Sequence, residues 1–202
     1  GRLSHLAFPD EARCDSGVHS GDTISPHYDP MITKIVTHGP TREIALRKLS
    51  RALAKTQVAG TVTNLAFLAR LAAHEGFAKG QVDTGLIGRA IDALTKRDPA
   101  HPRVVARAAL AAAGLDGTAG WETGFSLWQP LARRVTLARD GEEIPCTLRV
   151  SGPDDAEIAL PEATVVAQRR GGAWRLDGEP AAPVHLDADR VTVFAAPAVV
   201  FE

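Results

Sequence analysis

From Met31 to Val36 the chain alternates apolar and polar positions, with Lys34 as the one long polar side chain, and this period of two predicts a strand. Just before it, Pro26 and Pro30 bracket an HYD triplet that cannot be helical. After it the period changes. Ile44, Leu46, Leu49 and Leu53 fall near helical spacing, and Thr41 stands where its hydroxyl can accept from first-turn amides, with Glu43 favoured by the helix N-terminus. Arg42, Arg47, Lys48, Arg51 and Lys55 then lie mainly on the other faces, as a solvated helix surface does. Upstream, Leu3, Leu6 and Phe8 begin in strand pattern, and residues 10–38 read as a β-meander: a strand, an Asp-rich turn, a strand around Cys14 to Val18, a Gly21-Asp22 turn and the 31–36 strand. Beyond the Ala59-Gly60 turn, Thr63 is placed to cap a second helix from Asn64 to about His74, with Leu65, Leu68, Leu71 and Ala72 on one side. A break at Glu75-Gly76 and a turn over Phe77 to Gly80 lead into a third helix, VDTGLIGRAIDAL, which ends before the DPAHP breaker.

Composition shifts at TKRDPAHP, which divides the chain into domains at 1–98 and 99–202. An alanine-rich helix from Pro102 to Ala113, ended by Gly114, carries Val104, Val105, Ala108, Leu110 and Ala111 around much of its circumference, the pattern of a helix meant to be enclosed. From Arg134 onward the pattern is wholly β. About seven short strands, separated by turns such as Asp140-Gly141, Gly152 to Asp155 and Gly171-Gly172, predict a small antiparallel barrel or sandwich. Trp121, Trp128 and Trp174 are expected in its core.

The 202 residues are 45% hydrophobic and 23% charged, an ordinary balance for a globular chain. With 23 basic and 24 acidic side chains well mixed, there is no basic stripe for nucleic acid and no polybasic membrane patch. Cys14 and Cys146 lie far apart, with no CxxC and no run of ~20 apolar residues anywhere, so a cytoplasmic, reducing compartment with free thiols is expected. The seven histidines show no metal-ligand spacing, and neither a G-x-G-x-x-G nor a G-x-x-x-x-G-K-[ST] loop is present. Tyr28 and Asp29 are adjacent in an extended segment, so they point to opposite sides and cannot act together on one atom. Lys34 is expected to reach out to solvent or to pair with a carboxylate such as Asp29.

The stretches GRL, ARCDSGV, HYDPMITKI, the Gly39-to-Ala45 helix start, the Gly60-to-Asn64 turn and VDTGLI together resemble the C-terminal subdomain of biotin carboxylase, the ATP-dependent component of biotin-dependent carboxylases. The resemblance implies an α+β fold, an antiparallel sheet with about three helices over 1–98, with most of the enzyme upstream and this chain an excised piece. It places Arg13 where the family arginine stabilises negative charge on the carbonyl oxygen of biotin's ureido group, a role suited to a guanidinium that stays charged and offers directed N–H donors. Thr84 and Gly85 take the positions that reach the adenine of ATP, and Arg42 a position near the subunit contact.

For 99–202 the implied counterpart is the BT-type antiparallel β-barrel around a helix that links α and β subunits in acyl-CoA carboxylases, and GFSLWQPLARRVTL looks most like the α subunit of 3-methylcrotonyl-CoA carboxylase, an enzyme of leucine degradation. The implied partners are a carboxyltransferase β subunit, other α subunits and a biotin carrier domain that would follow. Biotin on that carrier, with ATP and Mg, would be the cofactors of the complete enzyme, and none is expected on this piece, which would be silent alone. A urea carboxylase or another biotin carboxylase is an alternative, as is a non-catalytic assembly module.

Overall fold

A computed structural model describes residues 1–25, 27, 30–117 and 130–202, and divides the chain into two compact units, Gly1–Asp98 with Ala196–Ala198, and Pro99–Ala195 with Val199–Glu202. Tyr28, Asp29, Trp121, Phe125, Leu127 and Trp128 lie outside the described residues. No helix among the described residues is long and apolar enough to cross a membrane.

The first unit contains strands β1 (His5–Ala7), β2 (Arg13–Ser16) and β3 (Thr33–Val36), helix α1 (Arg42–Lys55), strand β4 (Gln57–Ala59), and helices α2 (Leu65–Ala73), α3 (Glu75–Ala78) and α4 (Leu86–Thr95). The expected meander is not formed. β2 pairs antiparallel with β3, whereas β1 pairs with β4 in the register His5↔Ala59, so the strands make two separate two-stranded ladders. The reason is that α1 returns the chain to the start: Leu3 is fully buried, its N–H donates to the Asp22 carbonyl at 2.8 Å, and the Ser4 N–H donates to Ala59 at 3.0 Å. β1 thus lies beside β4 rather than β2. Thr41 does cap α1, its hydroxyl accepting from the Ile44 N–H at 3.3 Å. Among the described residues there are four helices rather than three, because Glu75 to Ala78 close one helical turn instead of breaking, with the Lys79 N–H donating to Glu75 at 2.9 Å and the Lys79 ammonium on the Glu75 carboxylate at 2.5 Å. α4 begins at Leu86, later than the pattern suggests, since Asp83 to Gly85 form a turn ahead of it.

Gly60 marks the tightest backbone approach in this unit. Its φ of +91° is one that side-chain-bearing residues rarely adopt, and a Cβ there would lie 2.2 Å from the Arg2 carbonyl oxygen and 2.7 Å from the Ser4 nitrogen.

The second unit is built on α5 (Pro102–Ala112), whose residues Val105 to Ala111 are all buried, so two full turns are covered on every side. Pro102 occupies the first turn, and the His101 Nδ1 accepts from the Arg103 N–H at 3.2 Å. Among the described residues nine strands follow: β5 (Leu131–Arg139), β6 (Glu142–Gly152), β7 (Asp155–Ala159), β8 (Thr164–Arg170), β9 (Ala173–Leu176), β10 (Glu179–Pro180), β11 (Val184–Asp187), β12 (Arg190–Val193) and β13 (Val199–Phe201). Every second residue faces the helix. Cys146, Leu148 and Val150 on β6, Ala156 and Ile158 on β7, Val165 and Ala167 on β8, and Trp174 and Leu176 on β9 form one core with α5.

Here too the structure departs from expectation, because the ladders do not close into a barrel among the described residues. They form a six-stranded sheet, β10-β9-β8-β7-β6-β5, and a three-stranded sheet, β11-β12-β13. Isolated bonds join them: Ala138 and Glu202 exchange backbone hydrogen bonds of 2.7 and 2.9 Å, while the segment 179–187 bonds to β9 through Ala181 and to Phe194, just past β12, through Pro183. Pro180 and Pro183 have no N–H to donate, so that segment cannot run a continuous ladder with both neighbours.

Two measurements check these readings. Gly60→Ala should lower stability by about 2 kcal/mol or more in chemical denaturation, because left-handed strain adds to a backbone collision. Burial pushes the Cys146 thiol from 9.0 up to about 11, so the protonated form is favoured in the folded state. Its contribution is therefore complete below pH 9 and lost as pH rises from 9 to 11, and Cys146→Ala should remove about 2–3 kcal/mol of the decline seen over that window.

Candidate functional site

The β2–β3 ribbon carries the candidate site. Along RCDS the exposure alternates, so Arg13 and Asp15 leave one face while Cys14 and Ser16 turn inward. Lys34 stands opposite Asp15 and Val36 opposite Arg13, and both are exposed. The backbone under this face is pinned from below: the Ser16 hydroxyl donates to the Ile32 carbonyl at 2.9 Å and the Thr33 hydroxyl to the Asp15 carbonyl at 3.2 Å.

On that face Arg13 is 75% exposed along its side chain and bound to Asp15 through two parallel hydrogen bonds, Nε to Oδ1 at 2.8 Å and Nη2 to Oδ2 at 3.0 Å. The bonds from Arg13, with the nearby charges of Arg13 and Lys34, hold the Asp15 carboxyl below its usual range, and Asp15 in turn raises Arg13. The ionised form of Asp15 is thereby favoured. The Cys14 thiol is raised, first by burial and then by Asp15, which makes it a poor thiolate.

Thr84 and Gly85 occupy a second locus, the turn into α4. Asp83 organises it, with its Oδ1 accepting from the Gly85 N–H at 2.8 Å and its carboxylate taking two bonds from Arg89 at 3.1 and 2.9 Å. Thr84 is exposed beside it. A Cβ on Gly85 would sit 2.7 Å from Arg89 Nη1 and 3.2 Å from Asp83 Oδ1, so the absent side chain is what lets this pair close. Among the described residues no hydrogen bond or ion pair joins this turn to Arg13.

Arg42 is engaged within the unit. Its guanidinium donates to the Ala78 carbonyl at 3.1 Å and the Phe77 carbonyl at 2.5 Å, and lies 5.2 Å from the Phe77 ring centre, closing the C-terminal end of α3. Lys34 faces outward across from Asp15, and its other suggested partner, Asp29, lies outside the described residues. No group of three or more His, Cys, Asp or Glu side chains among the described residues could hold a metal ion.

Sequence reasoning passed over Asp15 and the pairing of Asp83 with Arg89. For Asp15 the signal was available: opposite charges two apart on a strand share a face. Asp83 needed the turn geometry, because only the observed start of α4 puts Arg89 within its reach.

Residues 1–89 match the family model of the biotin carboxylase C-terminal domain. Over 77 residues, 38% of this chain and 10% of the relative, the sequence is 52% identical to the mitochondrial methylcrotonoyl-CoA carboxylase subunit alpha of Oryza sativa subsp. japonica. It is 42% identical over 87 residues to the urea amidolyase of Saccharomyces cerevisiae, covering 43% of this chain and 5% of that protein. It is also 42% identical over 82 residues to the biotin carboxylase of Haemophilus influenzae, covering 40% of this chain and 18% of that one. The matched stretch is thus a small part of each relative, between 5% and 18% of its length. The similarity to the biotin carboxylase C-terminal domain thus covers residues 1–89 of the 202.

Proposed function

We propose that this chain is part of the α subunit of a biotin-dependent acyl-CoA carboxylase, with residues 1–98 completing the biotin carboxylase cleft and 99–202 acting as the BT-type domain that docks a carboxyltransferase β subunit. The observation that carries the first half is Arg13, a guanidinium bound to Asp15 along one edge, with its remaining donors open on an exposed face inside the family-matched stretch.

Arg13 would act as the catalytic residue supplied by this chain, placing N–H donors where negative charge collects on the ureido oxygen of carrier-bound biotin. A fixed, always-charged donor favours the charged form over the neutral one, so it lowers the barrier rather than merely binding. ATP with Mg, when bound in the complete enzyme, supplies the phosphoryl group that activates bicarbonate. Thr84 and Gly85 are the positions from which this chain would reach the nucleotide's adenine. Thr84 fits such contact, being exposed with a hydroxyl to offer, while the space beside Gly85 is taken by the Asp83–Arg89 pair.

The second half rests on α5 enclosed by two sheets whose edges are linked at Ala138–Glu202 and along 179–187, a barrel-like wall around one helix. The partners we assign are the β subunit, further α subunits and a biotin carrier domain. A cytoplasmic location suits Cys14 and Cys146, both free thiols. The 42% identity to urea amidolyase over 87 residues supports urea carboxylase as a second reading.

In the complete carboxylase subunit, Arg13→Ala should reduce ATP- and bicarbonate-dependent carboxylation of free biotin by about 100-fold or more. Activity within tenfold of wild type would sink the assignment. The 202-residue chain should bind a carboxyltransferase β subunit in isothermal calorimetry, and no heat of binding at micromolar concentrations would remove the docking role from 99–202.

A further inference from the structure

An exposed arginine is usually a mobile one, and ordering its long side chain at the moment of reaction costs entropy. Arg13 is not left mobile. Asp15 leaves the same face of β2 two residues on, and its two oxygens take the Nε and Nη2 hydrogens at 2.8 and 3.0 Å, which is the side-on edge of the guanidinium. A guanidinium has five N–H donors. With two bound to Asp15, three remain, and two of these form the parallel end-on fork that suits an oxygen anion. Lys34, in register with Asp15 on β3, adds a second cation to the face, so the carboxylate restrains Arg13 without cancelling the local positive field.

Resting on the reading of Arg13 given above, we propose that Asp15 is a positioning residue for the carboxylation step: it grips the side-on edge of Arg13 and thereby aims the end-on fork at the developing oxyanion. The grip needs a carboxylate, because asparagine has one acceptor oxygen in place of two and cannot form the parallel pair of bonds. It also needs a rigid base, which the Ser16 and Thr33 hydroxyls provide through their bonds to the Ile32 and Asp15 carbonyls. Asp15 touches no reacting atom in this scheme. Its effect passes wholly through Arg13.

The experiment uses the complete carboxylase subunit with free biotin as acceptor, and compares Asp15→Ala, Asp15→Asn, Arg13→Ala and the double variant Arg13→Ala/Asp15→Ala. Asp15→Ala should lower kcat by about tenfold while leaving KM for ATP within about twofold, and Asp15→Asn should fall between it and wild type. Because both side chains are exposed, the thermal midpoint should not move. The double variant should be no slower than Arg13→Ala alone, since a residue that acts through Arg13 has nothing left to position. If Arg13→Ala costs about 100-fold but Asp15→Ala leaves kcat within twofold, the positioning role is overturned and the assignment of Arg13 stands. Losses that multiply in the double variant would also overturn it, by showing that Asp15 acts independently. If Arg13→Ala itself stays within tenfold, the functional reading fails and this proposal fails with it.

Discussion

Side chains two residues apart on a strand share a face, and both units of this protein are organised by that constraint. In β2 it sends Arg13 and Asp15 outward together and turns Cys14 and Ser16 inward, so a charged face and a pinned underside come from four consecutive residues. In β6 it turns Cys146, Leu148 and Val150 toward α5 and leaves the residues between them on the outer side. One period therefore supplies both a chemical surface and the wall of a core.

Enclosing a helix raises a problem that hydrophobic burial does not solve, because the last carbonyls of α5 have no partners within the helix. The residues just after the helix take most of them, Ala113, Gly114 and Leu115 donating to the Ala109, Ala111 and Leu110 carbonyls, and the surrounding strands take the carbonyls beyond. Arg133 donates to the Ala113 carbonyl at 3.0 Å, Trp174 to Leu115 at 3.2 Å, and Arg169 to both Leu115 and Gly117 while stacking 4.7 Å from the Trp174 ring centre. Cations at this end also oppose the negative pole of the helix dipole. Arg107, only 8% exposed inside the helix, is matched by the Ala182 carbonyl at 2.9 Å and the Asp116 carboxylate at 2.7 Å. A buried cation left without those partners would be strongly destabilising.

The first unit works differently. Its buried apolar residues are few and mostly small or aliphatic, Leu3, Ala52, Leu53, Val58, Ala59, Ala72, Leu86 and Leu94. Directed contacts do more of the holding: Arg42 on the α3 carbonyls, Lys48 on the His38 carbonyl at 2.9 Å, Arg89 on Asp83, and the Leu3 backbone between Asp22 and Gly21. Such a unit keeps polar side chains at its surface, and the Arg13–Asp15 pair belongs to that set. Its placement on a strand, rather than on a loop, is what gives the pair a repeatable geometry.

Local features were legible in the residues alone. The Thr41 cap, the helix begun by Pro102 and followed by Gly114, and the Asp140-Gly141 hairpin each depend on neighbours within a few positions, so spacing and residue type sufficed to place them. The motifs around Arg13, Gly60 and Thr84 likewise pointed to the biotin carboxylase C-terminal domain, whose family model matches residues 1–89. Pairing between distant segments was decided only by the folded chain. That β1 would choose β4 over β2 follows from how α1 carries the backbone back to Leu3, and no period in the sequence encodes which edge will be vacant. The same holds for the sheets around α5, where prolines at 180 and 183 remove donors at the seam, and for Asp83 and Arg89, which meet only because the turn before α4 brings them together. Periodicity reports which way a side chain faces; which partner it meets depends on three-dimensional closure, and that is settled by competition among all available edges and polar groups at once.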